Sequence, residues 1–87
     1  MEQYEHNVKV LKTLGHPLRF ALAKALHEHG EQNVGTLVEV TQSGQSIVSQ
    51  HLSKLKAAGI ADSRRKGTQV FYILTDPFTI AICSIED

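Results

Sequence analysis

The chain has one cysteine, no tryptophan, two prolines and a formal net charge of zero. A lone thiol, Cys83, excludes an intramolecular disulfide and any cysteine-rich zinc site built by a single chain. That usage fits a reducing compartment, so a cytoplasmic protein is expected. No apolar run is long enough to span a bilayer, and the opening Met1-Glu2-Gln3-Tyr4-Glu5 is too acidic and polar for a secretory signal. No membrane partner is expected. No nucleophile, base and orienting group can be assembled, and there is no glycine-rich phosphate loop. No catalytic residue, no enzymatic activity and no cofactor are therefore expected. At 87 residues the chain reads as one domain, 1–87, near the small end of what folds unaided. Without disulfides or metal, such a domain commonly gains stability by pairing, so a dimer is expected.

The zero net charge hides an uneven distribution. Between Ser43 and Tyr72 the cations are Lys54, Lys56, Arg64, Arg65 and Lys66, against the single acid Asp62. The residues before Ser43 are about balanced, and the tail holds only acids. A neutral total therefore leaves nucleic-acid binding open.

Within the basic half, a helix is predicted from Gly44 or Gln45 to about Ala58, bounded by the polar cluster Thr41-Gln42-Ser43 and by Gly59. Val48, Leu52 and Leu55 fall at i, i+4 and i+7 and form an apolar stripe, with Ile47 beside it. The opposite face carries Gln45, Ser46, Ser49, Gln50, Ser53 and Lys54, and no carboxylate. Such a face can exchange hydrogen bonds with base edges without repelling phosphate, which suits a DNA major groove. Taken alone, it equally fits an ordinary solvated surface.

Upstream, Glu2 to Leu14 reads as a helix with Tyr4, Val8 and Leu11 on one face and Val10 and Leu14 near it. That spread suits packing on its own domain and on a partner at once. Gly15-His16-Pro17 breaks it, and Pro17 starts a second helix that runs to about His29 and stops at Gly30. Leu18, Leu22, Ala25 and Leu26 face inward. Glu31-Gln32-Asn33 reads as a loop, Val34 as a short strand or bridge, and Gly35 to Val40 as a short third helix. A short helix, a polar turn and a longer helix make the helix-turn-helix layout, whose second helix enters the groove.

After Gly59 the periodicity changes. Ile60 to Arg64 and Gln69 to Leu74 read as two strands, with Arg65-Lys66-Gly67-Thr68 the turn between them. Asp76 caps a last helix that has Pro77 at its first position. Phe78, Ile80, Ala81, Ile82 and Ile85 make that helix apolar nearly all round, so it reads as a subunit interface. The expected fold is mainly α with a small β-hairpin: a winged helix-turn-helix of five helices and a two-stranded wing.

Four stretches resemble one family, the arsenic-repressor (ArsR/SmtB-type) winged-helix transcription factors. They are Leu11-Lys12-Thr13-Leu14-Gly15-His16-Pro17-Leu18-Arg19; Asn33-Val34-Gly35-Thr36-Leu37; Gln45-Ser46-Ile47-Val48-Ser49-Gln50-His51-Leu52-Ser53-Lys54-Leu55; and Ala58-Gly59-Ile60 with Arg64-Arg65-Lys66-Gly67 and Val70-Phe71-Tyr72. The resemblance runs from about Leu11 to Leu74 in unbroken order. It implies a bacterial or archaeal type of homodimer, joined through the first and last helices, that binds double-stranded DNA at a dyad-symmetric operator and represses transcription. It assigns DNA contacts to Gln45, Ser46, Ser49 and Gln50, with Gln50 suited to adenine N6 and N7. It assigns phosphate contacts to Lys54, Arg64, Arg65 and Lys66, and the dimer interface to Tyr4, Val8, Leu11, Phe78, Ile80, Ile82 and Ile85. His51 is expected to serve packing or backbone hydrogen bonding, and His16 to start a helix. The other reading is a winged-helix protein-interaction module without DNA affinity of its own.

Departures from the family pattern bear on sensing. The paired cysteines of its metal-sensing third helix are replaced by Gln32-Asn33-Val34-Gly35. The last helix offers Asp76, Cys83, Glu86 and Asp87 but no histidine. His27 and His29, two apart on a helix, point in different directions. No metal partner is expected.

Overall fold

The computed structural model describes residues 1–85, the side chain of Gln3 excepted, so Glu86 and Asp87 lie outside the described residues. Helix α1 (Glu2–Leu14) divides its apolar residues between two directions. Val10 and Leu14 are buried in the core, whereas Tyr4, Val8 and Leu11 are 63%, 48% and 52% exposed. In α2 (Pro17–His29), Pro17 takes the first turn, and His16 caps it by accepting the Leu18 N–H on Nδ1 at 3.2 Å. Leu22, Ala25 and Leu26 are buried, and Gly30 (φ 76°) ends the helix.

Helix α3 (Val34–Thr41) extends one residue beyond the expected span at each end, because Asn33 caps it: its Oδ1 accepts the Thr36 N–H at 2.7 Å. Gln42 ends it in the left-handed region (φ 55°), and after Ser43 and Gly44 α4 (Gln45–Ala57) begins. Of the two candidate caps for α4, Gly44 occupies the position and supplies no side chain, while the Ser43 hydroxyl donates to the Thr41 carbonyl at 3.3 Å. Val48, Leu52 and Leu55 are all fully buried. Burial of each such side chain is worth about 1.5–3 kcal/mol, which fixes the rotation of α4 and turns its polar face outward.

The sheet differs from expectation in two ways. It has three strands, because Gln32–Asn33 forms β1, which pairs antiparallel with Tyr72 and Phe71. The sequence predicts a loop over Glu31-Gln32-Asn33 and a bridge at Val34; the side chains of Gln32 and Asn33 are polar, and the strand exists only through its pairing with distant residues. Strands β2 (Ala61–Lys66) and β3 (Gln69–Leu74) are also longer together than expected, leaving a loop of only Gly67 and Thr68. Arg65 faces Val70 and Lys66 faces Gln69 in the ladder, so both cations belong to the strand and not to the turn. Gly67 takes φ 61°, the conformation a tight hairpin requires. The strand order is β1-β3-β2.

Helix α5 (Pro77–Ser84) is capped as expected by Asp76, whose Oδ2 accepts the Thr79 N–H at 2.8 Å. Its residues do not all face outward. Phe78 and Ile82 are half-buried against the protein's own core, Ile80 is exposed, and Ile85 lies just past the helix. The Nε2 of His6 lies 2.7 Å from Asp76 Oδ1, tying α1 to the start of α5.

Candidate nucleic-acid interface

Helix α4 exposes Gln45, Ser46 and Gln50 to solvent and Ser49 in part. Among the described residues none of these four side chains makes a hydrogen bond, so their amides and hydroxyls are uncommitted. The first turn of α4 contains no acid, leaving the positive end of the helix dipole unneutralised. Gln45 and Ser49 border a cleft of about 310 Å³ whose other walls are Asn33 and Gly35 of the α3 start and Thr68 and Gln69 of the wing. Helix α4 and the wing therefore flank one concave surface. Thr68 and Gln69 join it only because the hairpin folds back; the sequence offered no local signal for them.

The cations differ in their commitments. Lys54 and Arg65 are exposed and, among the described residues, have no carboxylate partner. Lys66 lies over the Phe71 ring, 5.4 Å from its centroid, which leaves the ammonium open on its other side. Lys56 donates to the Ser63 hydroxyl at 2.8 Å and stands 3.9 Å from Asp62. Arg64 is engaged. Its Nε and Nη2 donate to the two carboxylate oxygens of Glu31, both at 2.7 Å. This fork holds the Glu31 carboxyl below its usual range and raises the arginine further.

The side chain of His51, on the partly buried flank of α4, makes no hydrogen bond to the backbone among the described residues. Its Nδ1 accepts from Arg19 Nε at 3.2 Å, and its ring lies 4.4 Å from that of His16. Arg19 Nη1 also donates to the Thr13 carbonyl near the end of α1, at 3.3 Å. Burial, and then the neighbouring His16, Arg19 and Lys54, push the His51 pKa down.

Residues 16–63, which hold α2, the helix-turn-helix and the first half of β2, match the family described as "Bacterial regulatory protein, arsR family". The chain belongs to that family. Among its relatives, an HTH-type transcriptional regulator of Methanocaldococcus jannaschii is 34% identical over 87 residues, covering 100% of this chain and 98% of the other. The biofilm growth-associated repressor of Xylella fastidiosa is 43% identical over 77 residues, covering 87% of this chain and 67% of the other. The solved structure of the transcriptional repressor PagR of Bacillus anthracis superposes with a TM-score of 0.89 at 28% identity, covering 99% of this chain and 98% of that one. As an ArsR-family member the chain is a winged helix-turn-helix, DNA-binding transcriptional regulator. Among the described residues, no helix is long and apolar enough to cross a membrane.

Proposed function

We propose that the protein is a repressor that binds a dyad-symmetric operator in double-stranded DNA as a homodimer and acts in the cytoplasm, without enzymatic activity. The observation that carries this reading is the uncommitted, acid-free face of α4 beside the exposed cations of the wing. In it, Gln45, Ser46, Ser49 and Gln50 meet base edges and nearby phosphates, and Gln50 pairs with adenine. Lys54, Arg65 and Lys66 meet phosphates. Arg64 lies among them in its fork with Glu31.

The dimer forms through α1 and α5. Tyr4, Val8, Leu11, Ile80 and Ile85 present the exposed apolar surface, and Phe78 and Ile82 support it from the core side. Pairing sets two copies of α4 about one DNA turn apart, which is what makes an operator specific. The family's thiol-based metal site is absent from the sequence, so control falls to another ligand, to the protein's abundance, or to nothing.

Fluorescence anisotropy with DNA upstream of the protein's own gene, at low and high salt, tests the reading. Binding that weakens steeply with salt and is lost in the Gln50→Ala/Arg65→Ala double variant is expected. Absence of binding, or binding indifferent to both substitutions, contradicts it.

A further inference from the structure

The wing contains an arginine that the fold has already paired. Arg64 faces Phe71 in the β2–β3 ladder, and Phe71 faces Asn33 in the β3–β1 ladder. The Arg64 side chain crosses the central strand to reach Glu31, just before β1, and forms both hydrogen bonds of a planar fork at 2.7 Å. The glutamate side chain is 26% exposed and the arginine 59%, so the carboxylate is the better anchored partner.

We infer that Glu31 attenuates DNA binding by removing Arg64 from the set of phosphate ligands, an inference that rests on the DNA-binding reading above. The reason is electrostatic. If Arg64 stays on Glu31, two of its donors and its charge are satisfied within the protein. A swing to a phosphate would leave a bare carboxylate beside the wing, which favours the fork with Glu31. Counterions are released from DNA in proportion to the phosphates neutralised, so the pair adds nothing to the salt dependence. Lys54, Arg65 and Lys66 carry it instead. Glu31 thereby sets affinity from a position outside both the reading helix and the wing hairpin.

The test is the slope of log Kd against log salt, from about 50 to 200 mM. The probe is a fluorescein-labelled duplex selected from random sequence by the wild-type protein. Glu31→Gln is expected to steepen the slope by about 0.9 per protomer and to tighten binding at the lower salt. Glu31→Gln/Arg64→Gln is expected to restore the wild-type slope, and circular dichroism shows whether each variant is folded. An unchanged slope in Glu31→Gln, with a shallower one in the double variant, overturns the inference by showing that Arg64 already serves as a phosphate ligand; DNA binding itself then stands. If the wild-type protein selects and binds no duplex, the DNA-binding reading and the inference fall together.

Discussion

Arg19 joins His51 on α4 to the end of α1. Its Nε donates to His51 Nδ1 at 3.2 Å, and its Nη1 donates to the Thr13 carbonyl at 3.3 Å. An accepting Nδ1 carries no proton, so this bridge exists only while the imidazole is neutral. His51 is held below the usual histidine range of about 6.5, first by burial and then by His16, Arg19 and Lys54. A depressed histidine contributes stability that is fully present above the unfolded value and is lost as pH falls through the folded one. The urea midpoint should therefore fall between about pH 7.5 and about pH 5.5. His51→Gln, whose amide oxygen can still accept from Arg19, should flatten that fall. An identical pH dependence in the variant would refute the role of this pair.

Asp76 is a buried carboxylate, 6% exposed, that accepts from the Thr79 N–H at 2.8 Å and the Thr79 hydroxyl at 2.7 Å and contacts His6 at 2.7 Å. Burial opposes its ionisation, but the bonds from His6 and Thr79 outweigh burial and hold its carboxyl below the usual range. Its stabilisation is present above about pH 3.8 and lost as pH falls through the lower folded value. Loss of the cap with an orphaned threonine costs about 1–3 kcal/mol, so Asp76→Ala should lower urea stability by that amount. A change below about 0.5 kcal/mol would rule out a structural role for this cap.

Leu52 anchors the centre of α4 and is fully buried. Leu52→Ala should cost about 2–5 kcal/mol in a urea titration, through lost burial and the cavity left behind. Exposed Ile47, five residues before it in the same helix, should tolerate alanine within about 0.5 kcal/mol. Equal losses at the two positions would mean that α4 is rotated from the orientation described.

The dimer can be disrupted without touching the core. Tyr4→Glu with Ile80→Glu places two carboxylates on exposed apolar positions of α1 and α5. Sedimentation at micromolar concentration should show wild-type dimer and variant monomer with the same helical content, and the monomer should lose most DNA affinity. A wild-type monomer would refute the dimer.

What the sequence made legible followed from local spacing. Val48, Leu52 and Leu55 announced the phase of α4, and Pro17, Gly30, Asp76 and Pro77 marked helix ends through backbone requirements that are local. What it hid depended on partners far along the chain. Glu31 and Arg64 are 33 residues apart, and Arg19 and His51 are 32 apart, so a run of basic residues gave no hint that one was paired. Strand β1 was missed because Gln32 and Asn33 are polar and form a strand only against Tyr72 and Phe71. In α5, residues apolar on nearly every side gave no phase, and Phe78 and Ile82 turned toward the core instead of outward.

In the proposed function, the polar face of α4 reads DNA in two symmetric copies. Sequencing duplexes selected from random DNA by the purified protein tests it most directly. The expected result is a palindrome whose half-sites lie about one helical turn apart. Gln50→Ala should then relax the preference at a single position in each half-site by about 1–3 kcal/mol, leaving the others intact. Selection that returns no common sequence, or a motif unchanged by Gln50→Ala, would contradict DNA reading by this face.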